Sequence, residues 1–488
     1  MSENRSIESR QMFGRATIYT GYEEITENNI LDIIKTSLPV FHHNSADIDY
    51  LWKYMKGKQP ILARTKAVRP EINNKVVENH AFEIVNFLSG YLMGEPCTYV
   101  SRSEKEDATD KVNKLNSYMY EQNKASIDKD LSMWFYVCGV GYRMILPSKE
   151  LKSKNNESPF EIDVLDPRTT FMVYQHGFGS KRMVGVRRIS RVNAKGDVEF
   201  LYCGYTKTHY FECTENKLLK WEAHTLGDIP IYEYRANMAM LGSFEPALWL
   251  LDAINNIASN RLDGVEQFIQ AFIKFVNCDI DEEKFQALKE MGAIKIKSTD
   301  GQKADVDIVS QELSQTETQT LVDYLYSQVL TICGLPTPNK SQGGSSDNGV
   351  AVILRQGWEQ CEARAKDTEL LFKRSEKEFL RLALKLVNMK EDLGLKVSDV
   401  DIKFTRRQHD NLLTKTQGLV QMLEAGLKPE IAIATCGLFN DPVDVAVQSK
   451  DYLDRKWGEK AMPQGVDKNM YHDAQEDVKK VEGDGNNE

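Results

Sequence analysis

The sequence predicts an α+β protein dominated by helix, and three observations carry that prediction. Helical apolar periodicity occupies most of residues 30–137, seven short β-rich segments fill 140–235, and long helical stripes return from residue 243 onward. At 488 residues the chain exceeds what one simple core organises, so several regions linked by shared elements are expected.

The elements follow in order. Residues 1–30 are polar, and short helical patterns cover Asn29 to Thr36 and Ile48 to Lys56. Between Lys53 and Lys75 runs a basic, loop-like stretch, KYMKGKQPILARTKAVRPEINNK, with two prolines. Its Lys53, Lys56, Lys58, Arg64, Lys66, Arg69 and Lys75 suit either a nucleic-acid patch or, because Pro, Ile, Leu and Val interleave them, a partly packed arm. From Asn74 to Leu92 the apolar residues recur at helical spacing until Gly94 and Pro96, and a further helical segment spans about Asp107 to Val137.

The period then changes. YRMILP, EIDVLD, FMVYQ, MVGVRRIS, VEFLYCGYT, THYFECT and IPIYEYR are rich in Val, Ile, Tyr and Phe and are separated by turn residues. They predict one small antiparallel sheet attached to the preceding helices, which makes residues 1–240 an α+β region.

A long helix is expected to open at Ser243-Phe-Glu-Pro246 and run to about Phe275 with one continuous apolar stripe. Thirty residues at 1.5 Å each give roughly 45 Å, and such a rod needs neighbours along its length. Residues 277–312 read as a compact αβ insert. Asp281 caps a short helix that ends at Gly292, AIKIK and ADVDIV alternate like strands, and Asp300-Gly301 turns between them. A second long helix starts at the capping box Ser314-Gln-Thr-Glu317 and ends at Gly334. Residues 334–349, GLPTPNKSQGGSSDNG, are the most loop-like in the chain. A helix over 350–390 follows, with Gly357 as its expected bending point, then a strand at 400–405 and short helices at 411–426, 428–436 and 442–455. The tail from Met470 is acidic and is expected to lack order.

Bulk properties restrict function. No apolar run approaches the ~18 residues of a membrane span, and the polar N-terminus lacks a secretory segment, so the expected compartment is the cytoplasm. The eight cysteines include no C-x-x-C pair, which argues against a zinc site or a disulfide framework. Carboxylates stand four residues after His43, His224 and His472 without an evident third ligand. The net charge of −10 does not suit a protein that grips nucleic acid, although a negative wall that surrounds a moving duplex would keep it from sticking.

Enzymatic signatures are missing: there is no phosphate-loop, dinucleotide, nucleophile-elbow or H-E-x-x-H motif, so no catalytic residue and no cofactor is assigned. Asp279 and Asp281 with Glu282 and Glu283 could hold a divalent ion, as a metal-dependent nucleic-acid enzyme would require, but helix capping explains the same residues with no metal.

YMKGKQPILAR (54–64), INNKVVENHAFEIVNFLSGYLMGEP (72–96), GDIPIYEYRAN (227–237) and SFEPALWLLDAINNIASNRLDGVEQF (243–268) resemble the portal proteins of long-tailed phages that infect Gram-positive bacteria. With the order of later elements, the resemblance spans roughly residues 30–455; the acidic tail lies outside it. It implies a wing from 1–240, a stem from 241–276 and 313–333, a clip from 277–312, a tunnel loop at 334–349, a long wing helix at 350–390, and a C-terminal strand and helical crown over 391–469. The strand at 400–405 is expected to return to the wing.

The function implied is that of a portal subunit, one copy of a twelve-membered ring at a capsid vertex through which double-stranded DNA is packaged and ejected. The implied partners are the terminase large subunit, scaffolding and major capsid proteins and the head-completion adaptor, with the protein in the virion after assembly in host cytoplasm. Asn339, Lys340, Ser341, Gln342, Ser345, Ser346 and Asn348 would then contact phosphates weakly, without reading bases. Lys274, at the end of the stem, and Lys295, Lys297 and Lys303 in the clip are the candidates for the channel or the terminase and connector interface. Another structural head or connector protein is the alternative reading.

Overall fold

The computed structural model describes residues 8, 12–102, 108–148, 158–192, 196, 198–269, 272–276, 305–309, 315–337, 357–406, 412–439 and 442–452. Its first strand, β1 (Ile18–Thr20), leads into α1 (Ile30–Met55). The two short helical patterns expected in this region are one helix that carries Pro39 inside it. The polar stretch around His42 and His43 hides its continuity because α1 serves two cores. Ile30, Ile33, Ile34, Leu38 and Phe41 pack on the larger sheet, whereas Ile48, Leu51, Tyr54 and Met55 enter the main core.

α2 (His80–Met93) begins six residues later than the periodicity suggests. The side chain of Asn79 caps it by accepting from the Phe82 N–H, and residues 74–79 run along another helix instead. After β2 (Thr98–Ser101), the expected single segment is two helices, α3 (Ala108–Glu121) and α4 (Lys124–Cys138), which Asn123 separates in the left-handed conformation. α4 stops at Gly139, where φ is 82° and the N–H donates to the Phe135 carbonyl at 2.8 Å. A Cβ there would stand 2.0 Å from the Met240 carbonyl oxygen, so the position admits glycine alone.

The central strands form two sheets rather than one. A three-stranded antiparallel sheet orders β10 (Ile231–Arg235), β3 (Val140–Pro147) and β4 (Phe160–Leu165). A six-stranded sheet orders β1, β5 (Thr170–Gln175), β6 (Arg182–Val192), β7 (Val198–Tyr205), β8 (His209–Cys213) and β9 (Leu218–Ala223), with β1 and β5 parallel. β1 and β9 were not expected. One has three residues, and the other, LLKWEA, is a half-exposed edge with little alternation.

Beyond these sheets lie α5 (Leu248–Ile269), a hairpin of β11 (Phe272–Val276) and β12 (Asp305–Val309), α6 (Gln315–Cys333) and α7 (Trp358–Lys390). Gly357, with φ of 77°, is the N-cap of α7, and the expected helical residues 350–356 before it lie outside the described residues. The helix crosses the three-stranded sheet, where Phe372 meets Tyr234 with ring centroids 4.9 Å apart and Phe379 meets Tyr232 at 5.8 Å. β13 (Val400–Lys403) pairs antiparallel with β2, so this strand does return to the N-terminal region. The last described helices are α8 (Leu412–Glu424), α9 (Pro429–Cys436) and α10 (Pro442–Gln448).

Candidate functional site

α5 and α6 form the two-helix rod anticipated from the sequence, and polar contacts recurring every three or four residues along α5 fasten it to the N-terminal region. Tyr54 donates to Asp252 at 2.8 Å, Asn255 Oδ1 accepts from the Glu78 N–H at 2.8 Å, and Ser259 Oγ accepts from the Val76 N–H at 3.0 Å. Asp263 is the last and most heavily bonded point. Its carboxylate takes the Asn74 N–H at 2.8 Å, Lys66 Nζ at 2.9 Å and Arg64 at 3.0 Å. Burial alone would raise this carboxyl, but the Asn74 and Lys66 hydrogen bonds and the Arg64 charge outweigh it and hold the group below the usual aspartate range. The basic stretch 53–75 is therefore a strap on α5, which is the packed-arm reading. Arg64 and Lys66 are spent on Asp263, Lys75 donates to the Leu62 carbonyl, and Lys53 pairs with Asp49.

What the rod leaves uncovered is apolar. Trp249, Leu262 and Val265 on α5 and Leu321, Tyr324 and Ile332 on α6 are exposed. The three on α6 fall within about an 80° arc at 3.6 residues per turn. Charge on the rod is mainly negative: α6 has Glu317 and Asp323 and no lysine or arginine, and α5 has Arg261 as its one basic residue.

The first long helix stops short of its expected boundary. The first helix ends at Ile269 instead of Phe275, and Phe272–Val276 is a strand whose partner is Asp305–Val309. A continuous apolar stripe fits either a helix or a buried strand, and the β-branched and aromatic run FIKFV takes the strand because a partner is available. Lys274 accordingly lies on a strand beyond the end of α5, in register with Asp307. Lys295, Lys297 and Lys303, the carboxylates Asp279 to Glu283 and the loop residues Asn339, Lys340, Ser341, Gln342, Ser345, Ser346 and Asn348 lie outside the described residues. Among the described residues no group of three or more His, Cys, Asp or Glu side chains could hold a metal ion. Asp47 and Asp228, which follow His43 and His224 by four positions, are near Arg15 and Arg182 respectively.

Sequence reasoning missed the charged cluster that joins the long helix to the sheets. Lys124 and Asp128 of α4, Arg143 of β3 and Glu376 of α7 have almost no exposed side-chain surface and touch one another. Tyr99 donates to Glu376 at 2.5 Å and Tyr234 donates to it at 2.7 Å. Arg143 also lies over the Phe379 ring, 4.1 Å from its centroid. Burial would raise the Glu376 carboxyl, but Arg143, then Lys124 and the two tyrosine hydroxyls, more than offset it and hold it down at about 2. For Asp128 burial prevails over Lys124 and Arg143, and its carboxyl is raised. The only available signal was a Lys-x-x-x-Asp pair on the core side of α4, which any solvent-facing helix also carries.

Residues 38–454 match the family model described as "Phage portal protein, SPP1 Gp6-like". The chain belongs to this phage portal family. As a portal protein it is a structural component of the head-to-tail connector at a capsid vertex. No curated protein matches it. Among solved structures, the neck of an empty GTA particle computed with C6 symmetry has a TM-score of 0.43 at 14% identity, covering 74% of this chain and 90% of that one. The neck of a native GTA particle computed with C12 symmetry has a TM-score of 0.47 at 12% identity, covering 81% and 94%. Among the described residues of the portal chain, no helix is long and apolar enough to cross a membrane.

Proposed function

We propose that this portal subunit assembles with copies of itself into a closed ring, twelve in the virion, and that the α5–α6 rods of neighbouring copies form the stem of a DNA channel. The observation that carries this reading is the exposed apolar set Trp249, Leu262, Val265, Leu321, Tyr324 and Ile332, on a rod whose own chain covers its other side. A ring buries such surfaces head to tail, each copy offering a different face to its two neighbours. The predominantly acidic stem supports passive conduction, because a wall that repels phosphate does not retain a moving duplex.

In this reading the terminase, a separate enzyme, supplies the work of packaging, and the loop at 334–349 offers weak phosphate contacts through Lys340 and its polar neighbours. The clip, with Lys274, Lys295, Lys297 and Lys303, meets the terminase large subunit and later the head-completion adaptor. The wing and crown face the scaffolding and major capsid proteins, with assembly in host cytoplasm. Negative-stain imaging paired with mass determination in solution tests the proposal. Rings with a central hole and a mass of many subunits are expected. A monomer near 55.7 kDa that stays monomeric with scaffolding and capsid proteins present would overturn it.

A further inference from the structure

Two features of this chain have no role in the channel, and their charges are complementary. The first is residues 471–488, which carry six acidic side chains against two lysines, three of the acids (Asp473, Glu476 and Asp477) falling within five positions. The second is a cavity of about 450 Å³ between α7 and one end of the six-stranded sheet.

The acids that line the cavity are already engaged. Arg182 is 3.1 Å from Asp228 and 3.0 Å from Glu378, and Arg235 is 2.7 Å from Glu233. Lys181, Lys207, Arg374 and Arg381 also line it, all four exposed, and their side chains have no ion-pair partner among the described residues. The lining thus carries six cations against three carboxylates, a net charge of +3 at one concave site of a chain whose net charge is −10. Water and salt screen the four exposed cations in part, and a ligand with several negative charges can meet more of them at once than a single anion can.

We infer that this cavity is the docking site of the acidic segment 471–488, from the same subunit or from a neighbouring copy, with Asp473, Glu476 and Asp477 facing Lys181, Lys207, Arg374 and Arg381. The choice of occupant follows from size and reach. A cavity of about 450 Å³ is of the size that a few side chains or a small ligand fill. Tyr452 is the last described residue, and the roughly 20 residues from there to Asp473 span up to roughly 65 Å when extended. The multiple carboxylates arrive on one strand, so binding the first raises the effective concentration of the rest.

Zero-length carbodiimide crosslinking of the full chain, read by mass spectrometry, tests this directly, since the reagent joins only amines and carboxylates already in contact. Lys181 or Lys207 is expected to link to Asp473, Glu476 or Asp477, and mixing isotope-labelled with unlabelled protein shows whether the link is within or between subunits; either origin upholds the inference. The yield should fall at least tenfold in the double variant Arg374→Glu, Arg381→Glu, and likewise at high salt. The Lys53–Asp49 pair, 2.6 Å apart, serves as the internal control. The inference is overturned if that control links while Lys181 and Lys207 do not link to 471–488, or link to other carboxylates. It is also overturned if pyrophosphate protects the two lysines where no segment link forms, since the cavity then takes a small anion. The result is scored on monomer and ring fractions separately, so failure of the ring proposal and failure of this one are distinguishable.

Discussion

Arg143 of β3 and Glu376 of α7 form an ion pair in which neither side chain has any exposed surface, although 233 residues separate them in sequence. This contact and its companions Lys124 and Asp128 hold the long helix against α4 and β3 at one place. Burying two cations and two anions is costly, and the arrangement survives only because every charge meets its opposite.

Removing one partner should therefore cost far more than an exposed ion pair would. Glu376→Gln leaves Arg143 and Lys124 with Asp128 alone, and the expected loss is about 3–5 kcal/mol in chemical denaturation. A loss below about 1 kcal/mol would mean that the cluster is not what docks the helix.

The strap on α5 should respond to acid. The carboxyl of Asp263 is depressed in the folded protein, so its contribution is present above the unfolded value of about 3.9 and is lost as pH falls through the lower folded value. Hydrogen exchange of residues 62–76, corrected for intrinsic rates, should be slow at pH 5 to 7 and accelerate below about pH 4. Asp263→Asn should loosen the strap at neutral pH by about 1.5–3 kcal/mol, the value of a hydrogen bond to a charged group, and abolish the acid response. Equal protection at pH 3 and pH 7 in the unaltered protein would contradict this account.

The register of the β11–β12 hairpin is open to a crosslinking test. Lys274 and Asp307 are opposite each other, so cysteines at both positions should form a disulfide under mild oxidation. Cysteines at Lys274 and Val306 should not, because adjacent residues on a strand project to opposite faces. Efficient crosslinking of the second pair alone would shift the hairpin by one residue.

Deleting Gln342 to Ser346 should leave ring assembly intact and lower the rate or the length of DNA packaging, measured with purified heads and terminase. An unchanged rate and length would remove the loop from translocation.

Much of this architecture was legible because it is written in local periodicity. The stripe from Leu248 onward, Pro246 in the turn that opens it and the turn-separated strands between 140 and 235 each specify an element through neighbours in sequence, whereas Phe244 and not Ser243 is the N-cap there and Ser314 of the expected capping box lies outside the described residues. The family resemblance was legible in the same way, as ordered strings at 54–64, 72–96, 227–237 and 243–268, and the match over residues 38–454 agrees with it.

Tertiary structure decided the rest, wherever a segment's state depends on what lies beside it. FIKFV becomes a strand because residues 305–309 pair with it, residues 74–79 stay extended because Asn255, Ser259 and Asp263 take their backbone N–H groups, and the central strands divide into two sheets that pack mainly in different cores, both of which α1 enters. The Lys124, Asp128, Arg143 and Glu376 cluster is the extreme case. Each residue by itself reads as solvated surface, since a charge is stable in the interior only beside its opposite, and that proximity arises only when α4, β3 and α7 meet.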